Sequence, residues 1–497
     1  QKWQVALQLL ATMQQRGFQP DIIAYNSAIS ACAECQQWQV ALQLLATMQQ
    51  HGLQPNVITY TSVISACEKS RQWQVALQLL ATMQQRGLQP DIMTYNSAIS
   101  ACAKCQQWQV ALQLLATMQQ RGLQPNLVTY NATISACAKT QQWQLALQLL
   151  ATLQQHGLQP NVLTYTATIS ACAKSQQWQE ALQLLATMQQ RGLQPDIITC
   201  NSAISACSKV QEWQVALQLL ATMQQRGLKP NIITYTSAIS ACGKSQQWQV
   251  ALQLLATMQQ RGLQPNVITY NSAIGACERG RQWQVALQLL ATIQQRGLQP
   301  NVNTYNATIS ACAKTQQWQL ALQLLATLQQ HGLQPNVLTY TATISACAKS
   351  QQWQEALQLL ATMQQRGLQP DIITCNSAIS ACSKVQEWQV ALQLLATMQQ
   401  RGLKPNVITY TSAISACAQS QQWQVALQLL ATMQQRGLQP NLITYNSVIN
   451  ARAKCQQAAS VLELLEEFHF AGLASDAVMD NLDAAAVSRE LDSSFRS

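Results

Sequence analysis

The chain has 497 residues, only 10% of them charged, and 29 Lys and Arg stand against 19 Asp and Glu for a formal charge of +10. Residues 1–457 hold 27 of the basic and 11 of the acidic residues, residues 458–497 the other 2 and 8, so a basic body suited to a polyanion ends in an acidic tail. No run of eighteen apolar residues offers a membrane span. Most of the seventeen cysteines recur once per fixed interval, flanked by Ala, which reads as a small buried hydrophobe in a reducing compartment and not as a disulfide scaffold.

That interval is 35 residues. Residues 1–21 are a partial repeat holding a second helix only; residues 22–476 are thirteen tandem repeats; residues 477–497 are a non-repeating tail. The chain opens inside a repeat without Met, so any targeting segment is out of view. In the copy Ile92–Asn126, a first helix is predicted from about Thr94 to Lys104, because Tyr95, Ala98, Ile99 and Cys102 form an apolar stripe at helical period. A second helix begins near Trp108 and carries Val110, Ala111, Leu114, Leu115 and Met118. Gly122 supplies a left-handed stop, Pro125 prevents continuation, and Asn126 suits the turn before the next pair. One hairpin cannot bury both faces, whereas stacked copies can, so the expected fold is an all-α, right-handed superhelical solenoid of stacked helix-turn-helix repeats.

Residues Thr129–Asn231 and Thr304–Asn406 are identical, five repeats apart, which marks a block duplication. The last repeat degenerates: Ala458 replaces the Trp and Arg452 the mid-helix Cys. The segment 477–497 reads as a helix capping the last apolar face, with recruitment of a protein partner by its acidic surface as the alternative.

Two small polar positions vary within a narrow alphabet. The residue after the Tyr is Asn or Thr: Asn26, Thr61, Asn96, Asn131, Thr166, Asn201, Thr236, Asn271, Asn306, Thr341, Asn376, Thr411, Asn446. The residue after the Pro is Asn or Asp: Asn56, Asp91, Asn126, Asn161, Asp196, Asn231, Asn266, Asn301, Asn336, Asp371, Asn406, Asn441, and in the degenerate last repeat Asp476, where Ser475 stands for the Pro. Asn96, Ser100 and Lys104 lie at i, i+4 and i+8 on the helix face opposite the apolar stripe, so stacking would align such residues into rows along a concave surface. The cationic row is Lys69, Lys104, Lys139, Lys174, Lys209, Lys244, Arg279, Lys314, Lys349, Lys384 and Lys454, broken by Glu34 and Gln419. It suits a phosphate backbone; the competing reading is a solvated helix end that favours cations through the macrodipole.

The pattern T-Y-N-S-A-I-S-A-C-A-K, then W-Q-V-A-L-Q-L-L, then M-Q-Q-R-G-L-Q-P-D/N at period 35 resembles the pentatricopeptide repeat family, in its plain class of uniform repeats, over about nine-tenths of the chain. The 34-residue tetratricopeptide repeat differs in period and signature. The resemblance implies single-stranded RNA binding, one nucleotide per repeat, with the residue after the Tyr and the residue after the following Pro acting jointly on a base. By the family's pairing, Thr with Asp favours G, Thr with Asn A, Asn with Asp U, and Asn with Asn a pyrimidine. Taken repeat by repeat from Asn26/Asn56 to Asn446/Asp476, with the amino terminus toward the 5′ end, the implied target is 5′-YGYYGYAYYGYAU-3′. The family also sandwiches bases with an aliphatic residue two before the Tyr, matched here by Ile23, Ile58, Met93, Val128, Leu163, Ile198, Ile233, Ile268, Leu338, Ile373, Ile408 and Ile443; Asn303 departs from the pattern. Packing between repeats is the equal alternative for each of these aliphatic residues.

The Trp row, Trp38, Trp73, Trp108 and onward, reads as packing between hairpins. Cys200 and Cys375 replace the Tyr as packing variants, and the pairs Cys32/Cys35 and Cys102/Cys105 lie at helix ends two repeats apart, a poor arrangement for a metal. His51, His156, His331 and His469 have no partner at nucleophile or metal spacing, and there is no glycine-rich phosphate loop or deaminase motif. Neither catalysis, cofactor nor metal is expected. The reading is a binder of an organellar transcript, in chloroplast or mitochondrion, that acts in RNA processing, stability or translation by occupying its site. The alternatives are a protein–protein scaffold using the concave surface and a recently amplified array without a specific target.

Overall fold

The structure, a computed structural model, describes residues 2–454. These form 26 α-helices, with no strand among the described residues. The chain divides into two compact units, residues 1–245 and 246–497. The first opens with α1 (Lys2–Gln15), then alternates first and second helices of each repeat: α2 (Ile22–Glu34), α3 (Trp38–Gln50), α4 (Val57–Lys69), α5 (Trp73–Gln85), α6 (Ile92–Lys104), α7 (Trp108–Gln120), α8 (Leu127–Lys139) and so on to α14 (Ile232–Lys244). The second runs from α15 (Trp248–Gln260) to α26 (Leu442–Lys454) in the same alternation. Asp476, the second helix of the last repeat and the 477–497 tail lie outside the described residues, as does the side chain of Lys454.

Each first helix begins two residues earlier than the apolar stripe suggests. In α6 the reason is Asp91, whose extended backbone and side-chain oxygen, accepting from the Thr94 N–H, make it the N-cap and place Ile92 in the first turn. Two different stops follow. Gly52 closes α3 at φ 75°, with the Leu53 N–H donating to Met48 O, a glycine-terminated Schellman turn. The stop after α2 has the same geometry but puts Gln36 at φ 62°, with the Gln37 N–H on Cys32 O. The Gln or Arg two residues before each Trp from Trp38 to Trp423 gave no sequence signal for a left-handed residue, because neither has a preference for that conformation.

Packing explains the periodicity. Within each unit the first helices pack on one another in a row, as α2 on α4 and α4 on α6, and a second helix touches the first helices before and after it, as α3 touches α2 and α4. Their seam holds Tyr60, Ile64 and Cys67 from α4 and Ala76, Leu80 and Met83 from α5, all buried. Each large apolar side chain so placed contributes about 1.5–3 kcal/mol. Trp38 and Trp73 are partly buried against this core, as packing requires. Burial pushes the Cys67 thiol up to about 11 and the Cys102 thiol up to about 12, so these cysteines are unreactive core residues. The second unit repeats the arrangement, α16 (Val267–Arg279) against α18 (Val302–Lys314), and α20 (Val337–Lys349) against α22 (Ile372–Lys384).

Candidate nucleic-acid interface

The row of first helices brings the two variable polar positions together. Asn126 is the N-cap of α8, and its Oδ1 accepts the Thr129 N–H at 3.1 Å. A backbone N–H can only donate, so this contact fixes which end of the Asn126 amide is oxygen. The Asn96 Nδ2 donates to the same Oδ1 at 3.3 Å, which leaves the Asn96 Oδ1 to accept the Thr129 hydroxyl at 2.6 Å. Both amides are thereby oriented, with their oxygens engaged inside the protein and N–H groups left over. The pairs Asn26/Asn56, Asn131/Asn161, Asn201/Asn231, Asn306/Asn336 and Asn376/Asn406 make the same Nδ2–Oδ1 bond, at 3.2–3.4 Å. In those pairs the hydroxyls of Thr59, Thr164, Thr234, Thr339 and Thr409 sit 2.6 Å from the first Asn Oδ1.

Where the first residue is Thr the logic inverts. Asp91 Oδ1 accepts both the N–H and the hydroxyl of Thr94, the latter at 2.6 Å, so Thr61, 2.7 Å from the Thr94 oxygen, must be the donor of that contact or turn its proton to Val57 O at 2.8 Å. Neither hydroxyl proton is left over. The Thr61/Asp91 pair therefore offers lone pairs alone, as do Thr166/Asp196 through Thr199 and Thr341/Asp371 through Thr374. Thr411/Asn441 combines the two, since Thr444 engages Asn441 Oδ1 at 2.8 Å and leaves the amide nitrogen as a donor beside an accepting hydroxyl. Asn/Asn thus presents donors, Thr/Asp acceptors, and Thr/Asn one of each.

The first residue of each pair is less open than a helix face opposite the core would be. Asn96, Asn201 and Asn376 are buried, as are Thr166, Thr341 and Thr411, because consecutive first helices pack directly on one another. The aliphatic row is the converse. Ile23 is 72% exposed, and Ile58, Met93, Val128, Leu163, Ile198, Ile233, Ile268, Leu338, Ile373, Ile408 and Ile443 lie between 58% and 65%, so packing between repeats does not account for them. Asn303, also exposed, interrupts the row. In the second unit, Leu338 and Ile373 flank Thr341 in a groove of about 400 Å³ that also takes in Asn306, Lys314 and Lys349.

The cations of the row are not all alike. Glu68 accepts from Lys104 at 3.1 Å and from Ser100 at 2.7 Å; Glu278 does the same with Lys314 at 3.0 Å and Ser310 at 2.7 Å. Lys139 donates to Ala103 O, Lys209 to Lys174 O, and Lys384 to Ala348 O, so each holds the carbonyl end of the preceding first helix. Burial, joined by Arg71, Lys174 and Lys104 nearby, holds the Lys139 ammonium below its usual range. Burial with Lys314, Arg281 and Lys384 does the same to Lys349.

The sequence model of the pentatricopeptide repeat domain matches residues 8–70, 78–140, 113–175, 148–210, 183–245, 218–279, 288–350, 358–419 and 393–454, and that of the single repeat matches 58–88, 268–298 and 338–368. The chain belongs to the pentatricopeptide repeat family. Among solved structures its fold is similar to that of the pentatricopeptide repeat protein PPR10 from maize, at 22% identity and a TM-score of 0.63 over 98% of this chain and 79% of that one. It is also similar to PPR10 in complex with an 18-nt psaJ RNA element, at 22% identity and a TM-score of 0.58 over 95% and 78%. No curated protein matches.

Within these pentatricopeptide repeats the sequence reading missed the two carboxylates, Glu68 and Glu278. Their signal was available: each replaces an apolar or small residue immediately before the row's cation. It also missed the Thr that links each pair, which looks like an ordinary first-turn residue. Among the described residues no group of His, Cys, Asp and Glu could hold a metal. No described helix is long and apolar enough to cross a membrane.

Proposed function

We propose that this pentatricopeptide repeat protein binds single-stranded RNA, one nucleotide per repeat, and that its target is 5′-YGYYGYAYYGYAU-3′. The observation that carries this reading is the groove at Leu338, Thr341 and Ile373: the first residue of an oriented polar pair between two exposed aliphatic side chains, with lysines alongside. A base fits such a place, its faces on the aliphatic residues and its edge on the pair, while Lys349 meets phosphate and Lys314 is held by Glu278. The donor and acceptor faces agree with the letters. Guanine turns N–H donors toward the acceptor-only Thr/Asp pair; adenine offers one donor and one acceptor to Thr/Asn; pyrimidine carbonyl oxygens accept from Asn/Asn. The similar PPR10 structure holds an RNA element, which supports the same class of ligand here.

The biological role that follows is occupancy. A bound array blocks exonucleases or keeps its segment unpaired, acting in processing, stability or translation of a transcript in the chloroplast or mitochondrion without chemistry of its own. The test is selection from a randomised single-stranded RNA pool at near-physiological salt with single-stranded DNA as competitor. Enrichment of two consecutive YYGYA blocks is the expected result. Salt-sensitive binding without enrichment would reduce the protein to a generic RNA clamp, and absence of binding would favour a protein ligand on the same face.

A further inference from the structure

The residue two before each Asn or Thr of the first polar row is Thr in every first helix from α4 onward, and Ala24 in α2. Thr59, Thr94, Thr129, Thr164, Thr199, Thr339, Thr374 and Thr409 are fully buried, so none can meet a nucleotide. Yet each bonds to both members of the pair formed by the repeat before it and its own N-cap. We propose that this threonine is a positioning residue for base selection: its hydroxyl and N–H set which atoms of the pair face the RNA. The inference rests on the RNA reading above and deepens it.

The argument is one of proton count. Thr129 has a single hydroxyl proton, and its shortest contact, 2.6 Å, gives that proton to Asn96 Oδ1; its N–H goes to Asn126 Oδ1. The native orientation follows: turning Asn96 over would set its oxygen against Asn126 Oδ1 and give up the 2.6 Å hydroxyl bond, and turning Asn126 over would set N–H against the Thr129 N–H. Without the hydroxyl, Asn96 is held by its Nδ2 bond to Asn126 alone, at 3.3 Å, and the donor face that selects a pyrimidine is less firmly fixed. In Thr/Asp pairs the same hydroxyl is spent on the carboxylate and forces the preceding Thr to be donor inward and acceptor outward.

Among the described residues, the coupling is broken at Asn271. Asn271 Nδ2 still reaches Asn301 Oδ1 at 3.3 Å, and Thr304 bonds to Asn301 at 3.1 Å, but the Asn271 Oδ1 is buried without a hydrogen-bond partner. That repeat reads the eighth letter, which should be the least discriminated of the pyrimidine positions.

The experiment compares Thr129→Val, which keeps the shape and removes the hydroxyl, with Thr129→Ser, which restores it, in the full chain. Affinities are measured for the 13-nucleotide target with each base at the third letter, and with G replaced at the second letter as an internal control; Asn96→Ala reports on the pair itself. The expected result is that Thr129→Val lowers the third-letter preference for pyrimidine over purine by about tenfold, the worth of one hydrogen bond, leaves the second-letter preference intact, and is rescued by Ser. If Thr129→Val keeps third-letter selectivity while Asn96→Ala abolishes it, or weakens all RNAs alike, threonine is merely structural and the inference fails. If Asn96→Ala also leaves the third letter unchanged, the base-reading function itself fails, and the inference with it.

Discussion

Each residue after the Pro has two employments, since it caps a first helix and, in the proposed function, faces a base. The cap alone restricts the position to Asn, Asp, Ser, Thr and Gly, so part of its two-letter alphabet comes from the fold. A change within that alphabet should alter selectivity and leave the helix in place. Thr166→Asn with Asp196→Asn should move the fifth-letter preference from G to pyrimidine in a binding selection, with thermal melting unchanged. Equal loss on every RNA would contradict the pairing. Glu68 gives a second test at this scale, because it engages Lys104 at 3.1 Å and keeps that ammonium from phosphate. Glu68→Gln should tighten binding of all RNAs at low salt and steepen the logarithmic salt dependence by about 0.7, the increment for one further phosphate contact on a single strand.

At the scale of the helix, most of the structure was legible because every signal was repeated. The stripe of Tyr95, Ala98, Ile99 and Cys102, the glycine stop at Gly122 and the Trp start at Trp108 all appear where periodicity and turn chemistry put them. The left-handed Gln106, φ 64°, was not legible, because the conformation is imposed by packing of the two helices and not by its own preference. The site was legible in part. The pairs are visible as a restricted alphabet, but the Thr that joins them is not, since its role depends on a neighbour 33 residues away. Gly122 at φ 76° should resist replacement: Gly122→Ala should cost about 1 kcal/mol, the expense of a left-handed backbone with a Cβ. Amide exchange in α7 and α8 is the suitable probe, since long repeat arrays do not unfold as one cooperative step.

Over the whole chain, the duplication of Thr129–Asn231 as Thr304–Asn406 gives two identical sets of three pairs, and the flanking pairs extend each to the word YYGYA. A short RNA containing a single YYGYA should therefore saturate at two per chain, and the tandem target at one, as titration would show. Burial and neighbouring cations hold Lys139, Lys209 and Lys349 below the usual ammonium range, so their charge weakens as pH rises. RNA affinity should accordingly decline on the alkaline side, and the decline should shrink in a Lys139→Arg, Lys209→Arg, Lys349→Arg variant. The double duty of the capping residue also bears on how such a chain changes over generations. Asp and Asn differ by a single base in their codons and hold a helix end equally well, so a lineage can drift from one RNA word to another, letter by letter, through intermediates that all fold.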